Sequence, residues 1–124
     1  MKKATYFFIA ILFIISVLSC TTDTDIEPRF FSPPSWIIGT WKDGGSTFTF
    51  TSDNVTFSDG ISTINFKEDY KLLTVNETSS DDLYSIELTE ASLTYLFEKF
   101  TDTIFNYTLI SGGTPLGPVP FIKQ

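Results

Sequence analysis

From residue 46 to residue 110 the chain alternates apolar and polar side chains with a period of two, and turn-forming residues interrupt it about every nine positions. Successive residues of an extended strand point to opposite faces, so this pattern demands a sheet with one apolar side. The spacing leaves no room for crossover helices, so neighbouring strands are antiparallel. Residues 46–51 are clearest: Phe48 and Phe50 share one face, and Thr47, Thr49 and Thr51 the other. Val55 with Phe57 and Ile64 with Phe66 repeat the pattern on either side of Asp59-Gly60, a hairpin-forming dipeptide. Residues 70–75 read as a further strand, although adjacent Leu72 and Leu73 leave its inner face undefined. Tyr84, Ile86 and Leu88, then Leu93, Tyr95 and Phe97, then Phe105, Tyr107 and Leu109 mark the inner faces of residues 83–88, 93–100 and 103–110. Residues 38–42 add an opening strand.

The reading is therefore all-β, an antiparallel up-and-down meander of about eight strands. Such a sheet buries its apolar face either by closing, or nearly closing, into a barrel or by folding into a β-sandwich. Closure is favoured because it removes exposed edges. An eight-stranded barrel is either just filled by side chains or holds one small ligand. Pro33-Pro34-Ser35-Trp36 suits one helical turn before the first strand. Residues 114–124 contain Pro115, Pro118 and Pro120. Proline gives no donor to a ladder, so this segment is expected to be a tail, along the surface or across an opening, and not a central strand.

Lys2 and Lys3 precede an apolar run over residues 6–18, broken only by Ser16. A spanning helix needs about 20 apolar residues, whereas a signal-peptide core needs fewer. Val17-Leu18-Ser19-Cys20 follows and resembles the lipobox of bacterial lipoproteins. That resemblance implies cleavage before Cys20, lipidation of its thiol and lasting attachment to a membrane by several acyl chains. It also explains an unpaired cysteine in an exported protein. Thr21 lacks the aspartate associated with inner-membrane retention. The expected location is thus the envelope of a Gram-negative bacterium, on the outer membrane. Residues 1–19 are the expected signal peptide. Residues 20–33 are the expected lipidated cysteine and tether, in which Phe30 and Phe31 are able to dock on the barrel at 34–113.

Without residues 1–19 the chain keeps 6 basic and 15 acidic residues, a net charge of −9. Such an excess repels phosphate backbones and argues against nucleic-acid partners. The sequence contains no histidine and one cysteine, so no Ser-His-Asp triad, Cys-His pair or intrachain disulfide can form. Zinc sites built on His or Cys pairs are excluded as well.

Gly39-Thr40-Trp41 on the first strand, after a short helical turn, resembles the Gly-x-Trp signature of the lipocalins and related calycins. The resemblance implies a small lipocalin-like barrel with Trp41 packed across its closed end and Gly39 allowing close approach there. The arginine that stacks on this tryptophan in many lipocalins has no counterpart; Lys99 is nearest, and the role is not carried over.

Trp41, Tyr84, Tyr95 and Tyr107 are the candidate ligand-lining residues, and core packing is the competing reading of each. Thr47, Thr49, Thr51 and Thr56 could present a polar recognition face, but β propensity accounts for them. Asp53, Asp59, Asp81 and Asp82 lie in turns without a calcium-loop spacing. Glu87, Glu90 and Glu98 offer no spacing that selects a catalytic pair. No enzyme activity, metal or cofactor is expected. The expected partners are a membrane, through the lipid, and either a small apolar ligand or an envelope protein. A structural or interaction lipoprotein with a filled barrel is the alternative.

Overall fold

The computed structural model describes residues 30–124. The expectations for the signal peptide and Cys20 fall on residues 1–29, outside the described residues. A 3-10 turn at Ser35–Ile37, preceded by Pro34, leads into β1 (Gly39–Asp43), as the double proline suggested. There follow β2 (Ser46–Phe50), β3 (Val55–Ser58), β4 (Thr63–Asn65), the short helix α1 (Phe66–Asp69), β5 (Val75–Ser79) and β6 (Leu83–Leu88). β7 (Leu93–Thr101), β8 (Ile104–Ser111) and β9 (Thr114–Lys123) complete the chain.

All strand pairs are antiparallel and form one nine-stranded sheet in the order β4-β3-β2-β1-β9-β8-β7-β6-β5. The sheet curls strongly into a half-barrel. Two local meanders, β1–β4 and β5–β9, meet at a short seam where Trp41 pairs with Lys123 and Lys42 with Ile122. β4 and β5 are the outer edges, and α1 with the turn after it carries the chain from one edge to the other.

Three segments depart from the sequence reading. Phe66 does not extend β4. Asn65 caps α1, its Oδ1 accepting the Glu68 N–H at 3.3 Å, while Asp69 Oδ2 accepts the Asn65 N–H at 2.7 Å. These reciprocal bonds satisfy amides that a continuing strand would need paired elsewhere. Residues 70–75 are not a strand: Tyr70 ends α1, Leu73 N–H turns back to the Tyr70 carbonyl at 3.1 Å, and Leu72 is exposed. The strand begins at Val75 instead, where Glu77 faces inward opposite Ile86.

The third departure is the proline-rich C-terminal segment. It is not a tail but β9, at the middle of the sheet order. Its prolines are tolerated because β1 pairs only with Ile122 and Lys123, so Pro115 and Pro120 pair with β8 on one side and have no strand on the other, while Pro118 lies in the irregularity of the β8–β9 ladder. The segment is central in order yet an edge in its hydrogen bonding, the setting in which proline costs least.

The concave face holds the core: Phe31, Ile37, Trp41, Phe48, Phe50, Val55, Phe66, Tyr84, Ile86, Leu88, Tyr95, Phe97, Phe105 and Phe121. The period-two faces of β2, β6, β7 and β8 supply most of it. Opposite the core, the Asp59 carboxylate ties the β3–β4 turn by accepting the Ile61 and Ser62 N–H groups at 2.9 and 2.8 Å. These bonds hold its pKa below the ordinary 3.8. A carboxylate with a lowered folded-state pKa stabilises above its unfolded value, and that contribution disappears as pH falls through the folded value. Asp59→Ala should therefore lower the melting temperature at neutral pH and leave it close to wild type well below pH 3.8, read by circular dichroism at the two pH values.

Candidate functional site

Trp41 on β1 is fully buried, and its indole N–H donates to the Ile37 carbonyl at 2.8 Å, joining the 3-10 turn to the first strand. Its ring lies 4.8 Å from that of Phe105, and the Lys123 ammonium sits 5.5 Å from its centroid. A Cβ at Gly39 would lie 3.3 Å from Lys123 Cε, so the glycine makes room for the lysine stem on its way to the indole. Cation–π contact of this kind contributes about 0.5–1 kcal/mol at an exposed site. Lys123 is thus the cation over the tryptophan, and Lys99 is occupied with Asp102 at 3.2 Å. Sequence reasoning missed Lys123 because it lies on the segment read as a tail; only the β1–β9 register brings it to Trp41.

Around Trp41 the concave face is packed with rings. Phe48 lies 5.1 Å from both Phe97 and Phe121, 4.6 Å from Phe57 and 4.9 Å from Tyr107, mostly edge-on. Phe97 stacks on Tyr84 at 5.9 Å and on Tyr107 at 5.5 Å. Such distances are those of optimal aromatic packing and leave no room for a guest between the rings.

The candidate tyrosines share the inner face, packed against neighbouring rings. Tyr84 is fully buried, and its hydroxyl donates to Glu77 Oε2 at 2.7 Å. Tyr95 is 5% exposed and shares a 2.7 Å hydrogen bond with the Tyr70 hydroxyl. Tyr107 is half-buried and stacks on Tyr95 at 6.2 Å. Burial pushes all three phenols above their ordinary 10.0, with the Glu77 carboxylate adding to the effect at Tyr84. The raised values favour the protonated phenols, and those of Tyr84 and Tyr95 are the ones in hydrogen bonds. Trp41 is fully buried in the core against Phe105.

A groove of about 430 Å³ lies instead where the β6–β7 and β8–β9 turns meet, lined by Glu87, Thr89, Leu93, Ile110 and Gly112 among others. None of the four candidate residues lines it.

The carboxylates are dispersed. Asp53 pairs with Lys67 at 3.1 Å, Glu90 accepts from the Thr74 N–H and hydroxyl, and Glu87 accepts from Asn76. Among the described residues no group of three His, Cys, Asp or Glu comes together as a metal site.

The chain before the 3-10 turn packs on the domain through Phe31, one of the two phenylalanines expected to dock. Phe31 is 1% exposed and meets Phe66 edge-on at 5.9 Å. Its N–H donates to the Asp53 carbonyl at 3.0 Å, while the Ser32 N–H donates to Glu77 Oε2 at 2.8 Å. The Trp36 indole N–H donates to the Ser80 carbonyl at 3.0 Å. Residues 31–36 thus strap the β2–β3 turn to the β5 edge across the open side of the half-barrel. Of the two phenylalanines expected to dock, Phe31 does so; Phe30 is 57% exposed under the Lys67 ammonium at 4.3 Å. Comparison with protein-family models, with curated proteins and with solved structures finds no match.

Proposed function

We propose that this protein is a lipid-anchored envelope lipoprotein of a Gram-negative bacterium, held to the outer membrane through Cys20, whose lipocalin-like half-barrel is a non-enzymatic interaction module. The observation that carries this reading is the interior: Phe48, Phe97, Phe105 and Tyr84 fill the concave face where a carrier would hold its cargo. Trp41 over the 3-10 turn, with Lys123 above it, supports the lipocalin-like likeness. The lipobox-like Val17-Leu18-Ser19-Cys20 supports the anchor.

Cys20→Ala should abolish acylation and move the protein out of the membrane fraction. A variant that still sediments with membranes removes the anchor from the proposal. Native mass spectrometry of wild-type protein from its source should show the unliganded mass. A retained apolar molecule would restore the carrier reading.

A further inference from the structure

The residues that close the open side of the half-barrel belong to the segment that leads in from the expected anchor. We infer that residues 31–36 are a releasable strap, with Phe31 as the chain's own occupant of a latent site for a single small aromatic ligand between α1 and the β5 edge. The inference rests on the filled-barrel reading above and is independent of lipidation.

Three observations carry it. First, Phe31 is as buried as the core strands, yet its segment belongs to no ladder. Its polar attachment to the body is the Phe31 and Ser32 N–H bonds and the Trp36 indole bond, beside the buried Phe31 ring, the buried Pro33 and the half-buried Trp36. A segment with so few backbone bonds opens at lower free energy than the strands beneath it. Second, what Phe31 covers is aromatic and complete without it. Phe66 packs on Tyr95 at 4.7 Å and on Tyr70 at 5.0 Å, and the Tyr70–Tyr95 hydroxyl pair closes the far side. Third, the Ser32 end of the strap is held by the same carboxylate that holds the wall. Glu77 Oε2 accepts from Ser32 N–H and from the Tyr84 hydroxyl, so losing the first bond leaves the second to hold Glu77 in place. Strap departure thus vacates a slot the size of one phenyl ring and leaves its walls standing.

The test uses the full chain in detergent with indole as the probe. Native-state hydrogen exchange should show the Phe31 and Ser32 amides exchanging by local opening, well ahead of the amides of β6 and β7. Wild-type protein should bind indole weakly, because only the open fraction is competent, and Phe31→Ala should bind it at least about tenfold more tightly. Phe31→Leu, which refills the slot, should return to wild-type behaviour. Trp36→Phe removes one strap bond while keeping an aromatic ring against the core, and should speed exchange at Phe31 and Ser32 with the exchange of β6 and β7 unchanged. Indole failing to bind a Phe31→Ala protein with native circular dichroism overturns the latent site and leaves the filled barrel intact. Exchange at Phe31 and Ser32 only through global unfolding overturns the strap. Tight indole binding by wild type contradicts the filled-barrel reading itself, and the strap with it.

Discussion

Phe48→Ala is expected to lower the stability of the domain by about 3–5 kcal/mol, the usual cost of truncating a fully buried phenylalanine. A domain of this size is stable by only about 5–15 kcal/mol, so the loss is a large share of the total. Phe48 is fully buried at the centre of the concave face, with rings from β3, β7, β8 and β9 around it. Those neighbours are anchored on different strands of a hydrogen-bonded sheet and cannot collapse together into the void, so the cavity term is felt in full. Urea titration followed by circular dichroism should show a lower midpoint with an unchanged slope. Phe57→Ala, at a half-buried position on the adjacent strand, should cost less than half as much. Equal losses at the two sites would show that the rings act as loose filler and not as a fitted core.

The second large effect is expected at Gly117. Its φ is +128°, and a Cβ there would stand 2.7 Å from the Tyr107 carbonyl oxygen and 3.3 Å from Thr108 Cα. Both obstacles are backbone atoms, which cannot rotate aside as a side chain would. The position lies where the β8–β9 register shifts between Tyr107 and Leu109. Gly117→Ala should therefore cost about 2–3 kcal/mol, from backbone strain and a displaced ladder together. Gly112→Ala, in a turn with nothing within 4 Å of the added carbon, should cost about 1–2 kcal/mol. Thermal unfolding of the two variants side by side measures the difference. A Gly117→Ala protein as stable as Gly112→Ala would mean that the bulge is free to relax.

The strands that were legible in the sequence are those whose alternation is uninterrupted: β2, β3, β6, β7 and β8. Their inner faces, from Phe48 to Phe105, became the core because period two leaves no other arrangement. The misreadings have local causes. Phe66 kept the alternation of Ile64, but the Asn65 cap won over it, and the Asn65-to-Glu68 spacing was the available signal. The proline rule was sound and misapplied, because it acts on hydrogen-bonding sides and not on a strand's rank in the sheet. For the site, Gly39 and Trp41 were readable as a tripeptide. Lys123 was not, since a contact across the β1–β9 seam leaves no trace in local pattern. Phe31 was read correctly as able to dock, while the Glu77 contact that holds the next residue, 45 positions away, could not be.

The seam between β1 and β9 has a consequence for how the domain is built. Each half of the sheet is a run of hairpins between chain neighbours, the kind of local pairing that forms quickly. The backbone join between them is short, Trp41 with Lys123, Lys42 with Ile122, and the Gln124 N–H to the Thr40 carbonyl at 2.9 Å, while the rings of Phe48 and Phe50 on one half pack against Phe97 and Phe105 on the other. The last three residues therefore close the hydrogen-bonded ladder of the whole sheet: a chain cut ahead of Ile122 would lose the β1–β9 pairs and the cation over Trp41, and the two halves would be left to meet through their rings alone.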